Sequence, residues 1–140
     1  MSLFIVDASA GLKWFLPEAH WEAAARLRNP AFQLHVPGLF DVEIGNTLWK
    51  KMRRGELSRP EADAILSQLP LLPVVRHADG PLVPVAVDLA EKTQRSVYDC
   101  LYLAMAVQMG GQMVTADQRL YNSLLGTAWA NFVLWVESVP

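Results

Sequence analysis

The chain has 140 residues, of which 52% are hydrophobic and 19% charged; this suits one ordinary globular domain and leaves little room for two. Twelve Lys and Arg stand against fourteen Asp and Glu, a formal charge of -2, which excludes the strongly basic profile of non-specific nucleic-acid binders. Any nucleic-acid chemistry has to be local. The longest apolar runs, such as Cys100 to Val107, fall far short of the roughly 18 residues of a membrane span, so no membrane partner is expected. The stretch Met1 to Asp7 has no basic region ahead of its apolar residues and does not read as a signal peptide. A single cysteine, Cys100, allows no internal disulfide and fits a cytoplasmic location.

In chain order, short apolar runs rich in β-formers predict strands at Leu3 to Val6, Gln33 to Val36, Leu72 to Val75, Gln112 to Thr115 and Phe132 to Val136. Helical periodicity or composition predicts helices at Ala8 to Leu16, Glu18 to Arg28, Leu39 to Arg54, Arg59 to Leu69, Leu82 to Thr93, Val97 to Gln108 and Asp117 to Leu125. Ser58-Arg59-Pro60-Glu61 has the form of a capping box with Pro just inside the helix, and Gly55 and Gly110-Gly111 mark stops. Strands that are apolar on both faces, alternating with helices, predict a three-layer α/β/α domain around a central, mainly parallel sheet. No repeat, linker or low-complexity tract interrupts residues 1–140, which read as a single domain. Ligands of such sheets sit beyond the carboxyl ends of the strands.

Two strands are followed by acids that fall on this rim: Asp7 after Leu3-Phe4-Ile5-Val6, and Asp117 after Gln112-Met113-Val114-Thr115-Ala116. Asp99 lies in the first turn of a very apolar helix and can point back to the same edge. Glu43 begins a polar stripe, Glu43, Asn46, Thr47 and Lys50, on a helix whose other positions include Val42, Ile44, Leu48 and Trp49. Each acid also has a plain reading: Asp7 and Asp117 as N-caps, Asp99 as part of a capping box with Ser96, Glu43 as a complement to a helix dipole. Capping does not explain why all four should meet at one edge.

Four carboxylates gathered together repel and require a cation, and an all-oxygen ligand set points to Mg2+ or Mn2+ rather than zinc. His20, His35 and His77 follow no metal-ligand spacing, and Cys100 has no His at a recognisable spacing to activate it. Metal-assisted hydrolysis of a phosphodiester suits such a rim, with the acids holding the ion and Lys13, Lys50, Lys51, Arg53 and Arg54 available to the substrate backbone. Lys50 to Arg54 equally suit a solvated helix end. Trp14, Trp21, Trp49, Trp129 and Trp135 read as core or interface residues, with stacking on unpaired bases as the alternative.

The ordered set Ile5-Val6-Asp7-Ala8-Ser9, Leu12-Lys13-Trp14-Phe15-Leu16-Pro17-Glu18, Glu43-Ile44-Gly45-Asn46, Ser96-Val97-Tyr98-Asp99 and Val114-Thr115-Ala116-Asp117 resembles PIN-domain ribonucleases, most of all the VapC toxins of type II toxin-antitoxin systems. The resemblance spans nearly the whole chain and implies one PIN-like domain with Mg2+- or Mn2+-dependent endoribonuclease activity on RNA. It also implies a cognate VapB-type antitoxin and a homodimer or dimer-based hetero-complex. By motif match, Asp7 and Asp99 are the expected principal metal ligands and Glu43 and Asp117 complete the catalytic set. Ser9, Asn46 and Thr115 are the expected supporting groups. Cys100 stands where these toxins often carry Ala. Two other readings compete with this one: a PIN-like module that binds RNA or protein without catalysis, and a phospho-accepting receiver-like domain. The second lacks an acidic pair at the first strand and has no Lys after Lys92.

Overall fold

In the computed structural model, which describes residues 2–140, five short strands form one sheet in the order β3-β2-β1-β4-β5. They are β1 Leu3–Val6, β2 Gln33–Pro37, β3 Val75–His77, β4 Gln112–Thr115 and β5 Val133–Trp135. Every pairing is parallel, so the sheet is wholly rather than mainly parallel. Ile5 of β1 stands opposite His35 of β2 on one side and Met113 of β4 on the other. Phe4, Ile5, Val6, Val36, Met113 and Val114 are all buried, as strands covered on both faces require.

Among the described residues, seven α-helices cover the sheet in a three-layer arrangement: α1 Ala8–Gly11, α2 Trp21–Arg26, α3 Leu39–Arg53, α4 Arg59–Gln68, α5 Val83–Thr93, α6 Val97–Met109 and α7 Gln118–Leu125. The chain runs outward from β1 through β2 to β3, crosses back to β4, and runs outward again to β5. This reversal opens a crevice beyond the carboxyl ends of β1 and β4, where doubly wound sheets bind ligands. Among the described residues, no helix is long and apolar enough to cross a membrane.

The central helix α6 packs across β1, β2 and β4, and its seven consecutive residues Cys100 to Ala106 are buried. A helix apolar all round belongs in a core. Ser96 starts it by accepting the Asp99 N–H at 3.1 Å, and Gly110, with φ of 68°, ends it in the left-handed conformation. The capping box at Ser58 and Glu61 is present as the spacing predicts. Helix α1 packs so closely on α3 that a Cβ on Gly11 would lie 2.5 Å from the Phe40 ring.

Three elements differ from the sequence expectation. The third strand is Val75–His77, not Leu72 to Val75, because Leu69–Leu71 forms a 3-10 turn and Arg76 is drawn to Asp41 by two hydrogen bonds. The expected helix Ala8 to Leu16 is one α turn continued by a 3-10 turn at Leu12–Trp14, and α2 begins only at Trp21, after His20 in the left-handed conformation. His35 and His77, far apart in sequence, meet on β2 and β3 with their ring nitrogens 2.9 Å apart.

Candidate active site

Asp7 leaves β1 as the N-cap of α1 and is buried, with 6% of its surface exposed. One carboxylate oxygen accepts the Ser9 hydroxyl at 2.6 Å and the Ala10 N–H at 3.0 Å, and the other accepts the hydroxyl of fully buried Thr115. The two hydroxyls also serve the next turn: Ser9 accepts the Ala116 N–H and Thr115 accepts the Asp117 N–H, both at 3.0 Å. One hydrogen-bonded web thus ties the ends of β1 and β4 together and fixes Asp7 in both rotation and depth. Burial pushes the Asp7 carboxyl up to about 6, against the pull of these donors, and the charge of Asp99 adds to the rise.

The other three acids come from three further elements. Asp117 caps α7 by accepting the Leu120 N–H at 3.1 Å. Asp99, in the first turn of α6, accepts from Arg95 Nη2 at 3.3 Å. Glu43, on α3, accepts the Tyr102 hydroxyl at 2.6 Å. Burial raises Asp99 first of all; Arg95 opposes the rise and the charge of Asp117 adds to it. Glu43 is likewise raised by burial, with Tyr102 opposing and Asp99 and Asp79 adding. Asp99 therefore stands in electrostatic contact with each of the other three.

The four acids line one open pocket of about 430 Å³, together with Ser9, Asn46, Thr47, Lys13, Lys50 and Lys51. Thr115 lies beneath it, reaching it through Asp7. Arg53 and Arg54 do not line this pocket; with Lys50 they border a smaller depression next to it. Lys51 is held by Glu18 at 2.8 Å. Sequence reasoning missed two residues. Tyr102 reads as core in an apolar helix, and the only signal is its position three residues after Asp99, on the same helix face. Asp79 accepts the Leu39 N–H at 3.1 Å and starts α3, which carries Glu43.

Among the described residues, no three Asp, Glu, His or Cys side chains are grouped tightly enough to enclose an ion as they stand. Each carboxylate is taken up by a donor of the chain, an arrangement that mutual repulsion of the anions favours. The donor set itself, carboxylates backed by hydroxyls and an amide without His or Cys, fits a hard divalent cation.

A protein-family model described as PIN domain matches residues 4–123. Ribonuclease VapC3 of Pyrobaculum aerophilum is 38% identical over 120 residues, covering 83% of this chain and 90% of that protein. Among solved structures, PAE2754 from Pyrobaculum aerophilum superposes with a TM-score of 0.71 at 28% identity, covering 98% of this chain and 85% of that one. A toxin-antitoxin complex from Klebsiella pneumoniae gives 0.61 at 14% identity over 96% of both chains, a likeness of fold alone.

Proposed function

The chain belongs to the PIN-domain family and, within it, resembles the VapC ribonucleases; on that premise we propose that it is a divalent-metal-dependent endoribonuclease, the toxin of a type II toxin-antitoxin pair. The observation that carries this reading is the convergence of Asp7, Glu43, Asp99 and Asp117, from four separate elements, on one pocket rimmed by Lys13 and Lys50.

These four acids would hold Mg2+ or Mn2+. Such an ion, when bound, lowers the pKa of the attacking water and neutralises charge on the leaving oxygen. The chain's own residues do the rest. Ser9 and Thr115 keep Asp7 from rotating, and Tyr102 does the same for Glu43. Asn46 and Thr47 present neutral polar groups along the same wall of α3, and Lys13 and Lys50 offer positive charge to the substrate phosphate. In the hydrolysis, water adds to phosphorus, one P–O bond breaks, the leaving oxygen takes a proton and the water loses one to the surrounding carboxylates or solvent.

The same reading gives the protein a VapB-type antitoxin as partner, seated on exposed apolar residues of α3 and α4 such as Val42 and Leu66, and a cytoplasmic location, where its RNA is. Its expected self-association into a dimer is measurable by light scattering.

Purified protein free of antitoxin should cleave total RNA with Mg2+ or Mn2+ and lose that activity in Asp7→Asn and Asp99→Asn. Cleavage that survives both changes sinks the assignment. The engagement of every acid by a donor of the chain also suits a binding module without catalysis, and calorimetry with Mn2+ separates the two, since that module takes up no metal.

A further inference from the structure

The last turn of α3 carries a surface that differs from the acidic pocket beside it. Lys50 borders both the pocket and a second depression of about 220 Å³, whose other walls are Arg53 and Arg54. The neighbouring Lys51 is neutralised by Glu18 and Glu56, at 2.8 and 3.8 Å. Lys50, Arg53 and Arg54 have no such ion pair among the described residues, in a chain whose acids outnumber its bases. Trp49 lies on the same turn with 54% of its surface exposed, and the guanidinium of Arg53 stands 5.9 Å from its ring centroid. Three unneutralised cations and an open indole therefore share one end of a helix whose other end presents Glu43.

We infer that this end of α3 is the track along which a single-stranded RNA leaves the cleavage site. Lys50, Arg53 and Arg54 contact successive phosphates, and the face of Trp49 takes an unpaired base beside Arg53. The inference rests on the ribonuclease reading and adds to it the path that the substrate takes past Trp49, Arg53 and Arg54. At 1.5 Å of rise per residue, Trp49 to Arg54 lie about 9 to 17 Å from Glu43 along the helix axis, the reach of a few nucleotides. An indole face is offered to bases only where they are unstacked, which a duplex forbids and a loop or single strand allows. Guanidinium groups suit this place because they pair with phosphate and stack on an aromatic face at the same time.

The experiment uses the full chain in chelator, so that no RNA is cut, and a fluorescein-labelled oligouridylate of about 12 nucleotides, within the site sizes of such surfaces. Trp49→Ala should weaken binding about tenfold. Arg53→Ala combined with Arg54→Ala should lower the slope of log K against log salt by about 1.4, two phosphate contacts at about 0.7 each for single strands. A duplex of equal length should lose nothing in Trp49→Ala. Both sets of changes lie on the surface, and melting curves verify the fold. Wild-type binding matched in affinity and salt slope by both variants overturns the track while leaving the nuclease assignment intact. So does a loss in Trp49→Ala that is equal for duplex and single strand. If an oligoglutamate peptide binds this turn and the oligouridylate does not, the face docks an acidic protein segment and the track is again overturned. Mn2+ calorimetry on the same proteins, dialysed free of chelator and without RNA, reads the acidic pocket separately, so a failed track and a failed metal site give different results.

Discussion

Tyr102 on α6 donates a 2.6 Å hydrogen bond to Glu43 on α3, joining two helices whose residues lie 59 positions apart. The phenol is buried, and burial together with the charge of Glu43 pushes its ionisation far above the usual tyrosine range, so it remains a donor. Tyr102→Phe keeps the ring and removes only that donor. RNA cleavage should fall about tenfold, in keeping with the loss of one hydrogen bond to a charged group. Calorimetry should show weaker Mn2+ uptake, while the fold persists by circular dichroism. Unchanged metal uptake would mean that Tyr102 merely fills space.

Asp7 predicts a pH dependence of stability. Its folded pKa, about 6, lies above the ordinary 3.8, so the native state binds more protons than the unfolded chain between these values. Stability is therefore full below about pH 4 and falls as the pH rises through 6, by about 3 kcal/mol for this group alone. Asp7→Asn escapes that cost but accepts the Ser9 and Thr115 hydroxyls less well, leaving a net gain of about 1 kcal/mol, or roughly 2–4 °C at neutral pH in chelator. The gain should vanish near pH 4. Mn2+ should then raise the melting temperature of the wild type and not of the variant. A variant that melts lower than the wild type at pH 7.5 in chelator contradicts the argument.

Arg95 competes with any cation for Asp99. Its Nη2 sits 3.3 Å from the carboxylate, while its Nε is buried without a partner, so the side chain is held by little besides that charge. Arg95→Gln removes the positive charge and should tighten Mn2+ binding several-fold while lowering the melting temperature in chelator by a few degrees. Titration calorimetry and thermal melts, run side by side, check the two opposite signs.

Gly11→Ala tests how α1 is seated. The added methyl group meets the ring of fully buried Phe40 at 2.5 Å. Overpacking of this kind costs about 1–3 kcal/mol. Because α1 also carries Ser9 and begins at Asp7, cleavage should fall along with stability, as chemical denaturation and an RNA assay on one preparation will show.

The sequence made the rim legible because acids directly after a strand or at the start of a helix have few places to go: Asp7, Asp99 and Asp117 all cap or begin helices at the carboxyl edge of the sheet. Glu43 was legible through the polar stripe it begins with Asn46, Thr47 and Lys50, which the structure places together on the pocket wall. Tyr102 was not, since a tyrosine within an apolar helix looks like core until its partner on another helix is known. The third strand was misplaced because the apolar Leu72 and Val74 look more like a strand than Val75-Arg76-His77 does. The polar pair there is sustained by Asp41 and His35, contacts that periodicity does not carry. Arg53 and Arg54 were visible as a basic helix end, and their separation from Glu43 along α3, about 15 to 17 Å, puts them in the neighbouring depression instead of the acidic pocket.

The order of the strands also bears on when the acidic pocket is complete. Asp7 is translated well before Thr115, yet its carboxylate is oriented by Thr115, and β1 gains its second neighbour only when β4 has been made. A nascent chain that already carries Asp7, Glu43 and Asp99 therefore lacks a complete acidic pocket until Gln112–Thr115 emerges and docks. On the toxin reading proposed above, such a delay gives the cell an interval in which an antitoxin can meet the growing polypeptide before its first cut.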